Sequence, residues 1–235
     1  LMKTNWLLQE LVSISDSSDK PRSHKATALS ILGSIALEEG NRKKLLKLPL
    51  KIKEMLIRLL DSEVKSLHAA SVEGETEVLE KLLWLLRSFC NDDKTCAEMA
   101  ADKELVASLL SDKVLFRYNG RVDDHVLNTI ENMATLGDET VGDSIVEAGI
   151  VECFVEVVQK SGTVTRKWKQ NTKRCCKLVY MLSIANCRAI TAAEEGGGGG
   201  EGGEPVYFNS ALRRLRGNEE VLPMLLSLIG SIGDI

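Results

Sequence analysis

Two acidic doublets, three histidines, six cysteines and a run of glycines are the residues of this chain whose types could do chemistry. Asp92-Asp93 and Asp123-Asp124 sit at expected helix junctions. General acid–base use needs a cleft and opposed protonation states, neither of which adjacent carboxylates imply, so they read as capping and solvating groups. His24, His68 and His125 fall near different helix starts or faces, without the spacing of a zinc signature. The cysteines at 90, 96, 153, 175, 176 and 187 form no Cys-x-x-Cys pair, and Cys175 and Cys176 point to two sides of one helix. They read as free, largely buried thiols of a reducing compartment. Gly196 to Gly200 lacks the Lys, the fixed spacing and the preceding strand of a phosphate loop, and no Gly-x-Ser-x-Gly elbow occurs. The expectation is a protein that is not an enzyme, with no catalytic residue, no metal and no cofactor.

One polar stretch has a direction. Arg166, Lys167, Lys169, Lys173, Arg174 and Lys177 follow one another with no acidic residue between them. Such a patch suits an acidic protein surface, a lipid headgroup layer or RNA phosphates, or it solvates the outer side of a long helix. Only Trp168 lies among the basic residues, which is no stacking platform, and the net charge of -4 speaks against a chain dedicated to nucleic acid. Solvation of the exposed helix face is the first reading of the patch; an acidic protein partner comes next, ahead of nucleic acid or lipid.

The elements that must position these residues are helices. The 235 residues are 44% hydrophobic but only 4% aromatic, so Leu, Ile, Val and Ala do the packing, and no run alternates as a strand would. The Leu-rich runs are crossed by Lys, Glu or Arg, so no transmembrane span is expected. The start at Leu1, with Trp6 to Val12 already helical in pattern, reads as that of a fragment. Trp6, Leu7, Leu11 and Ile14 are expected to form the face of the first helix. A second helix runs from His24 to Glu39 and ends by reversal at Gly40-Asn41; a short third covers Arg42 to Leu48. Ile52, Met55, Leu56 and Leu59 face inward from a helix over Leu50 to Leu60, and Asp61 to Glu77 is left ambiguous. Val78 to Cys90 is strongly helical with a wide apolar surface, Thr95 to Ala101 is short, and Lys103 to Leu110 follows. Val114 to Arg121 reads as an inserted loop, and Asp123-Asp124 as the cap of the next helix. Gly149 breaks a short segment through Val146. A basic helix, Arg166 to Ala185, and a last one, Val221 to Ile229, close the chain. The Gly/Glu-rich segment 192–205 cannot offset its backbone entropy by packing and is expected to be a flexible insertion in one domain, 1–235.

Four helix ends superimpose by residue type: Leu32-Gly33-Ser34-Ile35-Ala36, Leu86-Arg87-Ser88-Phe89-Cys90, Ile130-Glu131-Asn132-Met133-Ala134 and Met181-Leu182-Ser183-Ile184-Ala185. The small last residue lets helices approach closely, and the Ser or Asn is placed to bond across to a neighbour. Their spacings of 54, 44 and 51 residues exceed the ~40 typical of stacked helical triplets, with inserts near 62–76, 111–122 and 194–205.

With Asn41-Arg42 before Leu45-Leu46, and Ile145-Val146-Glu147-Ala148-Gly149-Ile150 at a helix corner, the pattern resembles the armadillo repeat superfamily. That resemblance implies an all-α, right-handed armadillo-like solenoid of about four or five irregular repeats. It also implies a protein-interaction scaffold or adaptor within a larger assembly, gripping a partner in a groove lined by third helices. The positions it assigns to that groove are Trp84, Arg87, Ser88, Asn128, Asn132 and Ser183. Three of the four ladder positions, Ser34, Ser88 and Ser183, depart from the family's Asn. The alternatives are a purely architectural subunit and phosphate or anionic-lipid binding through residues 166–177. The expected compartment is intracellular, cytoplasmic or nuclear.

Overall fold

A computed structural model of the chain describes residues 2–47, 52–70, 76–91, 93–110, 114, 120–135, 142, 144–145 and 147–150. Every regular element among them is helical. The helices are α1 (Met2–Asp16), α2 (Arg22–Ala36), α3 (Glu39–Lys47), α4 (Ile52–Ala70), α5 (Glu77–Phe89), α6 (Asp93–Ala100), α7 (Lys103–Leu110) and α8 (Gly120–Thr135).

They stack in two parallel rows. α2 packs on α5 and α5 on α8, while α1 packs on α4 and α4 on α7. The rows are joined within each unit by the pairs α1–α2, α4–α5 and α7–α8, and the short helices α3 and α6 make the corners between units. This is a solenoid arrangement, in which each unit buries its apolar face on the next. α5 is enclosed on most sides. Val78, Leu79, Leu82, Leu83, Leu85, Leu86 and Phe89 are all buried, and only Glu77, Glu80, Lys81, Trp84 and Arg87 keep any exposure. A helix apolar around most of its circumference must be surrounded, and the row places α2 and α8 on its two sides.

Three local readings change, and the ambiguity after Leu60 is resolved in favour of helix. In α1 the buried stripe is Leu8, Leu11, Val12 and Ser15, at helical spacing, while Trp6 and Leu7 remain in solvent. Three consecutive large apolar residues, Trp6-Leu7-Leu8, allow more than one phase, and packing against α2 and α4 selects Leu8. Gly40-Asn41 do not reverse the chain after α2; they lie in the first turn of α3. The reversal falls at Leu37-Glu38, and the Arg42 guanidinium caps it by donating from Nη1 to the carbonyls of Ala36 (2.9 Å) and Leu37 (2.8 Å). Arg42 is only 4% exposed, an arginine spent on a helix end. α4 is one continuous helix to Ala70, with Val64 and Leu67 buried in the same stripe as Leu60, so part of the excess in the first spacing lengthens a helix. α8 begins at Gly120, ahead of Asp123-Asp124, which therefore lie inside it; Asp123 is buried.

Other expectations hold. α7 has the bounds read from its pattern. Gly149 has φ of 93°, the left-handed conformation that glycine adopts without steric cost, directly after a helical turn closed by Ala148 N–H donating to Ser144 O (2.9 Å). The polar joints between units are ion pairs: Arg22–Glu63 (2.6 Å) between α2 and α4, Arg58–Asp16 (2.5 Å) between α4 and α1, and Lys53–Asp102 (3.0 Å) from α4 to the start of α7. Only the first has a buried partner, Glu63, so it is the one whose breakage leaves an uncompensated buried charge. Asp102 also caps α7, accepting from the N–H groups of Glu104 and Leu105 at 3.1 Å each. Burial pushes its carboxyl upward, but Leu105 N–H, Lys53 and Glu104 N–H together hold it below the usual carboxylate range.

The helix end at Met181–Ala185, the basic helix, the insertion 192–205 and the last helix lie outside the described residues.

Candidate functional site

The row α2–α5–α8 builds a surface from the side chains that its packing leaves out. On α5 these are Lys81, Trp84 and Arg87, all half-buried; on α8 they are His125, Asn128 and Asn132, also half-buried. α2 contributes Ser30 and the exposed Ile31 and Ser34.

Trp84 is seated against Gly33. A Cβ at Gly33 would stand 2.8 Å from both Cε3 and Cζ3 of the indole, closer than two carbons can approach. The glycine in the middle of α2 therefore exists for the tryptophan of the next unit, and the indole belongs at once to the stacking of α2 on α5 and to the surface. A glycine inside a helical pattern is itself a signal of close approach, and it is the one sequence clue to this contact.

The hydroxyls in this row do not bridge neighbouring units. Ser88 is buried and donates to Trp84 O (2.9 Å); Ser34 donates to Ser30 O (3.1 Å); buried Thr129 donates to His125 O (2.8 Å). Asn128 Nδ2 likewise donates to Asp124 O at 2.6 Å. Each is satisfied one turn back within its own helix, so small polar residues can sit between packed helices without an orphaned hydroxyl. Ser88 thus lies beneath the surface, with Trp84, Arg87, Asn128 and Asn132 upon it. Ser183 and the basic residues Arg166, Lys167, Lys169, Lys173, Arg174 and Lys177 are outside the described residues.

The electrostatics centre on His125. Burial lowers its pKa, and the positive charge of Arg87 lowers it further, against the opposing pull of Glu80 and Asp124. Its Nδ1 is buried with no hydrogen-bond partner among the described residues. Across the same joint Arg121 reaches Glu80 at 3.9 Å, and Thr76 Oγ1 donates to Glu80 Oε1 at 3.0 Å. Arg87 and Lys81 form no ion pair among the described residues, whereas Glu80 is engaged. The surface therefore offers two cations, an indole and two carboxamides. Among the described residues no group of three or more His, Cys, Asp or Glu side chains could hold a metal. No helix among them is long and apolar enough to cross a membrane.

No protein-family profile and no curated protein sequence matches the chain. Solved structures do. An engineered protein whose crystal structure was determined by the Northeast Structural Genomics Consortium aligns over 94% of this chain and 78% of its own length, at 17% identity and a TM-score of 0.55. At that identity the likeness concerns the fold alone, and it accords with the double row of stacked helices. The fold is an all-α solenoid of stacked helices. A designed armadillo repeat protein also aligns, over 95% of this chain and 98% of its own, at 17% identity and a TM-score of 0.40. Laid on the helix triplets that the sequence resemblance implies, α2, α5 and α8 take the place of third helices, α1, α4 and α7 of second helices, and α3 and α6 of the short first helices. The superimposed helix ends at Leu32, Leu86 and Ile130 all fall at the carboxyl ends of that third-helix row.

Proposed function

We propose that this armadillo-like protein is a non-catalytic scaffold that holds a partner protein on its third-helix row. The supporting observation is that Trp84 and Arg87 of α5 stand half-exposed beside Asn128 and Asn132 of α8, on helices whose other faces are buried. Tryptophan and arginine in such a setting carry a large share of binding energy at protein interfaces, and cations with no counter-ion favour an acidic partner segment. The partner is held by shape and by these few anchors within a larger assembly. Buried reduced thiols such as Cys90 and Cys96 suit a cytoplasmic or nuclear setting. The basic residues 166–177 extend the same preference for acidic partners.

The test is affinity capture from native extract with the unmodified chain and with Arg87→Glu and Trp84→Ala, followed by cross-link mapping. The expected result is one partner cross-linked to the α5–α8 surface and weakened about 30-fold by either variant, the ~2 kcal/mol of an interface anchor. Several proteins cross-linked to both helix rows and indifferent to Arg87→Glu would replace the scaffold with an architectural subunit.

A further inference from the structure

His125, Asn128 and Asn132 follow one another at helical spacing along α8, so they share one stripe of the α5–α8 surface. Among the described residues nothing hydrogen-bonds the His125 ring, and its Nδ1 is buried. Nε2 is then the ring nitrogen left for a ligand. Two cations of α5, Arg87 and Lys81, oppose a proton on the ring, while Glu80 of α5 and Asp124 of its own helix favour one. α6 and α7 also pack on α8, but Lys94, Glu98, Asp102, Lys103 and Glu104 of those helices and the turn between them are not among these charges. Glu80 is already engaged by Thr76 and Arg121, whereas Arg87 and Lys81 form no ion pair among the described residues. A half-buried imidazole thus stands beside two cations with no acceptor of its own.

We infer that His125 couples this surface to protons: an acidic segment laid across Arg87 and Lys81 brings a proton from solvent onto the imidazole, and the surface holds that segment more tightly as pH falls. The inference rests on the third-helix row being the partner surface. A carboxylate at Nε2 gives the charged ring the acceptor it lacks and offsets the repulsion from Arg87. The ring with a segment bound therefore keeps its proton to higher pH than the empty one. The gain in affinity is absent above the titration of the bound ring, grows as pH falls through it, and is complete below that of the empty ring. Protonation of the segment's own carboxylates acts in the opposite sense, since it weakens their hold on cations. An imidazole set against cations without a partner is unfavourable in the empty surface, and binding sites are where such local costs are offset.

The test uses the full chain and a rhodamine-labelled peptide of alternating Glu and Ser, with binding read by fluorescence anisotropy from pH 8 to about pH 5.5. Affinity is expected to rise about fivefold or more over that range, and His125→Gln to remove the rise. A second measurement does not depend on that variant's folding. In a chain carrying His24→Gln and His68→Gln, the remaining imidazole C2–H proton resonance is that of His125. Its titration midpoint is expected to move upward when the peptide is added. Affinity that stays level or falls with acid, a rise that His125→Gln retains, or a midpoint that the peptide leaves in place overturns the proton link and leaves the anchors Trp84 and Arg87 standing. No binding at any pH overturns the acidic-segment reading on which the link rests, and the link with it.

Discussion

Single residues do two kinds of work here, and both can be measured. The Arg42 guanidinium answers two carbonyls at the end of α2 from a position only 4% exposed. Arg42→Ala is expected to destabilise the chain by about 2–4 kcal/mol, since it orphans buried acceptors and leaves a cavity. The exposed Lys43→Ala next to it, which loses a solvent-exposed ion pair to Glu39, should cost under about 1 kcal/mol in the same urea titration. Equal losses would remove the capping role. His125 gives a pH signature. Its folded pKa lies below the ordinary value, so the unfolded chain takes up a proton near pH ~6.5 that the folded chain resists. Stability from this group is complete above that pH and declines as pH falls toward the folded value. Urea midpoints from pH 8 to 5 should show that decline, and His125→Gln should flatten it. From sequence, Arg42 was legible only as one of a pair opening a short helix, and His125 only as a histidine without a metal signature. What each does depends on groups far from it in the helix order, which spacing does not reveal.

At the scale of elements, the contact of α2 with α5 turns on one missing methyl. Gly33→Ala gains up to about 1 kcal/mol of helix propensity but sets a Cβ into the Trp84 ring, where overpacking costs about 1–3 kcal/mol. The expected net is a loss, with a shift in tryptophan emission as the indole is displaced. In a Trp84→Leu background the same substitution should become stabilising, and a double-mutant cycle reads the coupling; additive effects would mean that the two residues do not meet. Helix existence was largely legible because apolar residues recur at helical spacing in every element, as α5 and α7 illustrate. Phase and ends were less so. α1 chose Leu8 over Trp6 and Leu7, and α2 ended at Leu37-Glu38 rather than at Gly40-Asn41, because tertiary packing and a buried guanidinium decided what local residue chemistry left open.

For the molecule as a whole, the repeat in the helix ends at Leu32, Leu86 and Ile130 was the legible feature, and it proved to mark one row of the solenoid. The exposure of Trp6, Leu7 and Ile31 was not legible, since those residues fit a core pattern as well as any others. The same stacking has a consequence for how the protein is made. Among the described helices every substantial pair joins elements of one unit or of adjacent units. A nascent chain emerging from the ribosome can therefore settle each of these units, α1–α2, α4–α5 and α7–α8, onto the one synthesised just before it. Short-range topology of this kind closes small loops and folds quickly, which limits the time that the leucine faces of α2 and α5 spend uncovered and open to aggregation during synthesis.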